Sequence, residues 1–97
     1  MNIWITTAEV AVQPGDMPSG DTLGFMTVTM WAQSEHDFIA RAKAYFRKYD
    51  WEIISVEDTR KVDPSLDYGE EVNRMVAETL LDTEAVRLGT YYSYKTN

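Results

Sequence analysis

Residues 23–58 read LGFMTVTMWAQSEHDFIARAKAYFRKYDWEIISVED, and their hydrophobic periodicity changes twice. From Leu23 to Ala32 apolar residues recur in steps of two, which is typical of a β-strand. Ser34 is a suitable N-cap for a helix over about 35–49, where apolar residues recur at helical spacing. Strand character returns from Trp51 to Asp58. The segment therefore predicts a strand–helix–strand unit with a right-handed crossover.

The flanking sequence predicts two more strands and a second helix. The segment from Ile3 to Val12 is rich in β-branched residues, and its imperfect alternation indicates a bulge or a change of face near Thr7 or Ala8. A second helix is expected to start near Asp67, and alternation returns from Ala85 to Lys95. The predicted order is ββαβαβ. The apolar stripe predicted for the second helix is Val72, Met75, Val76, Leu80 and Leu81.

The packing of these elements follows from the need of each helix to bury one apolar stripe. A sheet can cover both stripes on a single face. We therefore predict an α+β fold for a single domain spanning residues 1–97: a two-layer sandwich with a four-stranded mixed sheet and two helices on one face. This architecture resembles that of ferredoxin-like domains, whose usual element order is βαββαβ. The second face of the sheet is expected to be open.

Composition narrows the class of protein. The 97 residues are 44% hydrophobic and 26% charged and include no cysteine. These proportions are ordinary for a globular protein, and the lack of cysteine excludes disulfides, thiolate-bound metals and thiol catalysis. The sequence shows no signal-peptide pattern and no apolar run long enough to span a bilayer. A cytoplasmic protein is the resulting expectation.

The net charge of −7 is distributed unevenly along the chain. Between residues 50 and 84 there are eleven carboxylates and only three cations, a local charge of −8, whereas residues 34–49 carry four cations and two carboxylates. Nucleic acids and anionic membranes bind proteins through Lys and Arg. We therefore expect no nucleic acid and no membrane as a partner. A basic protein is the natural electrostatic match.

The titratable side chains form no recognisable catalytic or metal-binding set. His36 is the only histidine and lies in the first turn of a predicted helix, between Glu35 and Asp37. A general base needs a nucleophile or a second base beside it, and the sequence shows no such pair. The acids of 63–70 superficially resemble a calcium loop, but Tyr68 stands where that loop requires glycine. We predict no catalytic residue, no cofactor and no metal.

The sheet face expected to be open is poor in charge. Its aromatic side chains alternate with small hydroxyl side chains, which is the composition of an interface core rather than of a solvated face. Three kinds of group could cover this face of the sheet. The first is a second copy of the chain or the protein's own loop, the second is a different protein, and the third is a small apolar ligand. The predicted interaction surface consists of Trp4, Phe25, Thr27, Thr29, Trp31, Ile53 and Tyr91.

These features favour a small non-enzymatic protein-binding module of the inhibitor, immunity or adaptor type. It would form a homodimer through the open sheet face and meet a basic partner with the acidic region 50–84. The alternative is a small dimeric, cofactor-independent enzyme, or an apolar-ligand-binding protein, of ferredoxin-like architecture. In that alternative His36, Tyr45 or a tryptophan would have to reach a pocket.

Overall fold

A computed structural model describes residues 1–94 of the chain. The predicted α+β architecture with two helices is confirmed, but the element order is ββαβαββ because the last predicted strand is interrupted at residues 89–91. Lys95, the predicted end of that strand, lies outside the described residues. The elements are β1 (Asn2–Ala11), β2 (Leu23–Ala32), α1 (Glu35–Arg47), β3 (Glu52–Lys61), α2 (Glu70–Leu81), β4 (Val86–Leu88) and β5 (Tyr92–Tyr94).

The described strands pair only in antiparallel fashion. The strand order is β3-β1-β2-β4, and β5 pairs with the beginning of β2 on the same side as β4. The predicted four-stranded mixed sheet is therefore wrong. Strands β2 and β3 do run parallel, because each is antiparallel to β1, but β1 lies between them and they exchange no hydrogen bonds.

The two helices pack on opposite faces of the sheet. On the face covered by α2, the Thr79 hydroxyl lies 3.0 Å from the Thr29 hydroxyl, and the Trp31 indole N–H donates to the Thr79 carbonyl oxygen at 2.7 Å. The prediction of both helices on one face is therefore wrong, and the ferredoxin-like arrangement is not found. The α1-side core consists of Trp4, Ala8, Val10, Val12, Met26, Val28, Met30, Ala32, Phe38, Ala42, Phe46 and Ile53.

Strand β1 is buried on both faces, which explains its imperfect alternation. Trp4 and Val10 lie in the α1-side core. Ile3 and Ile5 lie on the face that α2 covers, and none of these four side chains is more than 8% exposed. A strand covered on both faces has no need of a polar face. The change of parity along β1 therefore reflects two cores rather than a distorted strand.

The bulges of the sheet lie in β3. Pairing between β1 and β2 is unbroken, so the bulge predicted near Thr7 or Ala8 is wrong. The register between β1 and β3 shifts twice, and each shift leaves one extra residue in β3. The first shift buries Ile53, predicted on the open face, and leaves Ile54 50% exposed. The second register shift lies beside Asp58, whose φ of 54° falls in the left-handed region.

Candidate functional site

Three of the residues predicted for the interaction surface lie on the α1 side of the sheet. Trp4 is 8% exposed, and its ring stacks on that of Phe38 with a centroid separation of 6.3 Å. Ile53 is 9% exposed in the same core. Tyr91 packs against this core, and its hydroxyl donates to the Val10 carbonyl oxygen at 3.3 Å. These side chains therefore pack within the fold.

The other four residues lie on the face that α2 covers in part. Thr29 is fully buried beneath α2, and the Trp31 indole donates to a carbonyl oxygen of that helix. Thr27 and Phe25 are half-buried towards the uncovered end of the face. The Phe25 ring centroid lies 5.4 Å from that of Tyr94. Of the seven predicted residues, Trp4, Thr29 and Ile53 are buried, and the others, Phe25, Thr27, Trp31 and Tyr91, are half-buried.

A small aromatic surface remains at the uncovered end of the sheet, next to β5. Tyr92 is 66% exposed, and the Tyr94 hydroxyl donates to the Glu9 carboxylate. This hydrogen bond raises the pKa of Tyr94, so its hydroxyl stays protonated. We call Phe25, Tyr92 and Tyr94 the β5 patch.

A second exposed apolar surface lies between α2 and the loop that joins β3 to it. This groove encloses about 350 Å³. Leu66 on the loop and Leu80 on the helix remain 57% and 54% exposed, and the adjacent Leu81 is 88% exposed. Clustered exposed leucines on a monomer indicate an interaction site. We call this surface the α2 groove, and its apolar lining is Val62, Pro64, Leu66, Val76, Ala77 and Leu80.

Hydrogen bonds hold the loop wall of the α2 groove in place. Asp63 accepts from the Ser65 N–H at 2.9 Å and from its hydroxyl at 2.7 Å. Asp67 accepts from the Gly69 N–H at 2.9 Å and from the Asn73 amide at 2.8 Å. These bonds lower the pKa of both carboxyl groups, so both are ionised at neutral pH. The wall is therefore preformed and anionic.

The groove also lies in an acidic part of the chain. Residues 62–82 contain six carboxylates and one cation, Arg74. The Arg74 guanidinium lies 3.9 Å from the carboxylate of Glu78, and both side chains are largely exposed. An exposed pair of this kind contributes little stability. Arg87 also pairs with Glu78, at 2.9 Å, and the Arg60 guanidinium lies 5.5 Å from the centroid of the Tyr68 ring, so three cations lie near the six carboxylates. The field around the α2 groove is therefore negative.

The predicted interaction surface did not include the α2 groove. Leu80 and Leu81 are predicted from the sequence to lie in the buried stripe of the second helix. The structure instead buries Met75 and Thr79 and leaves both leucines exposed. The sequence signal that could have indicated this surface is the presence of two apolar stripes on one short helix. A helix that packs on a single surface needs only one apolar stripe.

His36 lies in a shallow depression on the surface. Glu35, Val56 and Asp58 are among its lining residues. Thr59 supplies a hydroxyl to this depression, but that hydroxyl is hydrogen-bonded to Thr6 at 2.8 Å. Within residues 1–94, no three His, Asp or Glu side chains come together in a way that could hold a metal ion. The arrangement around His36 therefore offers no activated nucleophile.

Comparison with known proteins identifies no family for the chain. No protein-family model matches it, and no curated protein or solved structure gives a significant match. Neither helix in the described part of the chain has the length and apolar character needed to cross a membrane. Function therefore has to be argued from the exposed surfaces.

Proposed function

We propose that this chain is a non-enzymatic protein-binding module that takes a basic, amphipathic segment of a partner protein into the α2 groove. The observation that carries the proposal is the exposure of Leu66 and Leu80 on the two walls of a preformed, anionic groove. Apolar anchors supply most of the binding energy at such surfaces, while surrounding charges steer and orient the partner. An inhibitor, an immunity-type protein and an adaptor all bind partners in this way.

The chemistry of the groove defines the partner segment. Apolar side chains at positions i and i+4 of a helix project from one face, so one such pair can contact Leu66 and Leu80 together. Lysine or arginine beside that pair would meet the ionised carboxylates of Asp63 and Asp67. Because hydrogen bonds already fix the loop wall, little ordering entropy is lost on binding.

A defined peptide tests the proposal. We expect a helical peptide with leucine at i and i+4 and lysine on its flanks to bind the full chain, with an affinity that falls as salt rises. Leu66→Ser combined with Leu80→Ser should weaken binding by about tenfold or more, because two apolar anchors are lost. Fluorescence anisotropy measures the affinity, and amide NMR shifts identify the groove.

The matched control for these substitutions is Ile54→Ser. Ile54 is 50% exposed, like the groove leucines, but lies on β3. This variant should bind the peptide as the unmodified chain does. Equal weakening in both variants would show that the leucines are not specific anchors. Equal binding of a peptide with glutamate in place of lysine would show that the negative field does not select the partner.

We further propose that two copies of the chain associate through the β5 patch. The β5 patch contains Phe25, which belongs to the face predicted to be open, and also Tyr92, which is 66% exposed. Exposed aromatic rings are typical of interface cores. One carboxylate, that of Glu9, lies at this patch, where it accepts from Tyr94, whereas residues 62–82 around the α2 groove contain six. Two copies that each carry a net charge of −7 therefore repel one another less at the β5 patch than at the α2 groove.

Light scattering after size-exclusion chromatography tests self-association. We expect a dimer whose population grows from micromolar to millimolar concentration, and Tyr92→Glu should abolish it because a carboxylate would be buried in the contact. Tyr49→Glu is the control, since Tyr49 is 50% exposed on another surface. A chain that remains monomeric at millimolar concentration contradicts the dimer.

A further inference from the structure

A cleft between α1 and the connection from α2 to β4 carries charge of the opposite sign to the α2 groove. It encloses about 330 Å³ and is lined by Met30 and Val86 from the sheet and by Arg41, Ala44 and Lys48 from α1. We propose that this cleft binds a small apolar carboxylate, such as a medium-chain fatty acid or an aromatic acid. The proposal concerns a separate site and does not rest on the protein-binding function.

The shape of the cleft follows from the spacing of residues on α1. Positions 41, 44 and 48 are three and four residues apart and therefore lie on one side of the helix. Ala44 is the small residue of the three, so a depression is left between two long cationic side chains. Met30, which is 5% exposed, and Val86 provide an apolar floor. A volume of this size suits a small organic molecule.

Two cations, Arg41 and Lys48, line the cleft. The Arg41 Nη1 donates to the Trp31 carbonyl oxygen at 2.9 Å, which fixes the guanidinium at the cleft while its other N–H groups stay available. The Lys48 ammonium lies 5.8 Å from the centroid of the Tyr45 ring. Within residues 1–94 neither cation forms an ion pair with a carboxylate. Lys43, Arg47, Arg60 and Lys61 form no ion pair there either, so Arg41 and Lys48 are distinguished by the apolar floor that lies beside them.

The remaining polar groups limit the ligand to a single negative charge. Glu84 also lines the cleft, from the connection between α2 and β4, and its carboxylate would repel a second anionic group. The hydrogen bond between the hydroxyls of Tyr45 and Tyr49, 3.5 Å apart, raises the pKa of Tyr45. Tyr45 therefore adds no negative charge. Two cations, one carboxylate and an apolar floor fit an apolar monocarboxylate.

The test uses octanoate, with octylamine as the probe of equal chain length and opposite charge. We expect octanoate to bind the full chain saturably and to shift the NMR signals of Met30, Ala44 and Val86. Octylamine should bind at least about tenfold more weakly, because its ammonium meets two cations. Octanoate shifts confined to other surfaces, a lack of saturable binding, or equal binding of octylamine would overturn the proposal.

Two double variants with the same change in net charge separate the cleft from general electrostatics. Arg41→Gln with Lys48→Gln should weaken octanoate binding by about tenfold or more. Lys43→Gln with Arg47→Gln should leave binding unchanged, because these side chains line a different surface of α1 beside Trp51. An equal loss in both variants would overturn the proposal.

A third variant keeps both cations and fills the space between them. Ala44 is exposed on α1, so Ala44→Phe should fold normally and block the cleft. We expect octanoate binding to fall by about tenfold or more in this variant, with circular dichroism and thermal unfolding unchanged. Octanoate affinity equal to that of the unmodified chain would show that the ligand does not occupy the cleft.

Discussion

Thr29→Lys is expected to lower the free energy of unfolding by about 3 kcal/mol or more. Thr29 is fully buried, and its hydroxyl lies 3.0 Å from that of Thr79. A lysine at this position must either bury an ammonium beside Arg87, which pairs with Thr29 across β2 and β4, or push α2 away from the sheet. Urea unfolding followed by far-UV circular dichroism measures the loss.

Ser55→Lys is the matched control, because Ser55 lies on the same face of the sheet but is exposed. Its hydroxyl donates to the Glu9 carboxylate at 3.0 Å, and no helix covers it. We expect this substitution to change the free energy of unfolding by less than about 0.5 kcal/mol. If both lysine variants were equally harmless, α2 would not cover this face in solution, and the fully open face predicted from sequence would be restored.

Phe46→Ala is expected to cost about 3–5 kcal/mol. Phe46 is fully buried in the α1-side core, and its ring centroid lies 5.9 Å from that of Trp51. The substitution removes apolar contacts and leaves a cavity that the surrounding strands cannot close. A domain of this size is typically stable by about 5–15 kcal/mol, so the variant should be marginal. Urea unfolding followed by tryptophan fluorescence reports the change.

Tyr49→Ala provides the comparison for Phe46→Ala. Tyr49 belongs to the same aromatic cluster, with its ring 5.5 Å from that of Trp51, but it is 50% exposed. Removing it leaves no enclosed cavity, so we expect a cost below about 1 kcal/mol. A similar cost for both variants would contradict the packing of α1 on the sheet.

Local signals in the sequence were sufficient to predict several elements. The alternation of residues 23–32 gave the bounds of β2 as the structure has them. Ser34 caps α1 as predicted, since its hydroxyl accepts from the Asp37 N–H at 3.1 Å. The helix ends at Arg47, two residues before its predicted end. Each of these signals depends on residues close together in the chain, which is why they could be read without the fold.

Tertiary packing explains what could not be predicted. The face on which α2 packs depends on Thr79, a polar residue that is buried because Thr29 and the helix backbone satisfy its hydroxyl. No hydrophobic pattern marks such a residue. The register shift beside Ile54 depends on pairing with β1 and has no local signature. The position of the α2 groove follows from the packing of α2, since the orientation of this helix decides which of its apolar residues remain in water.

The irregularity of β3 has a consequence for how copies of this chain can assemble. β3 is 10 residues long and forms an edge of the sheet, with a strand partner on one side only among the described residues. A flat edge would invite the edge of another copy and allow strands to add without limit. β3 has two bulges, and Asp58 adopts a left-handed backbone conformation. These irregularities bend the edge, so that a regular strand cannot pair with it along its length. These irregularities disfavour pairing of β3 with another copy, so we expect no unlimited addition of strands at this edge.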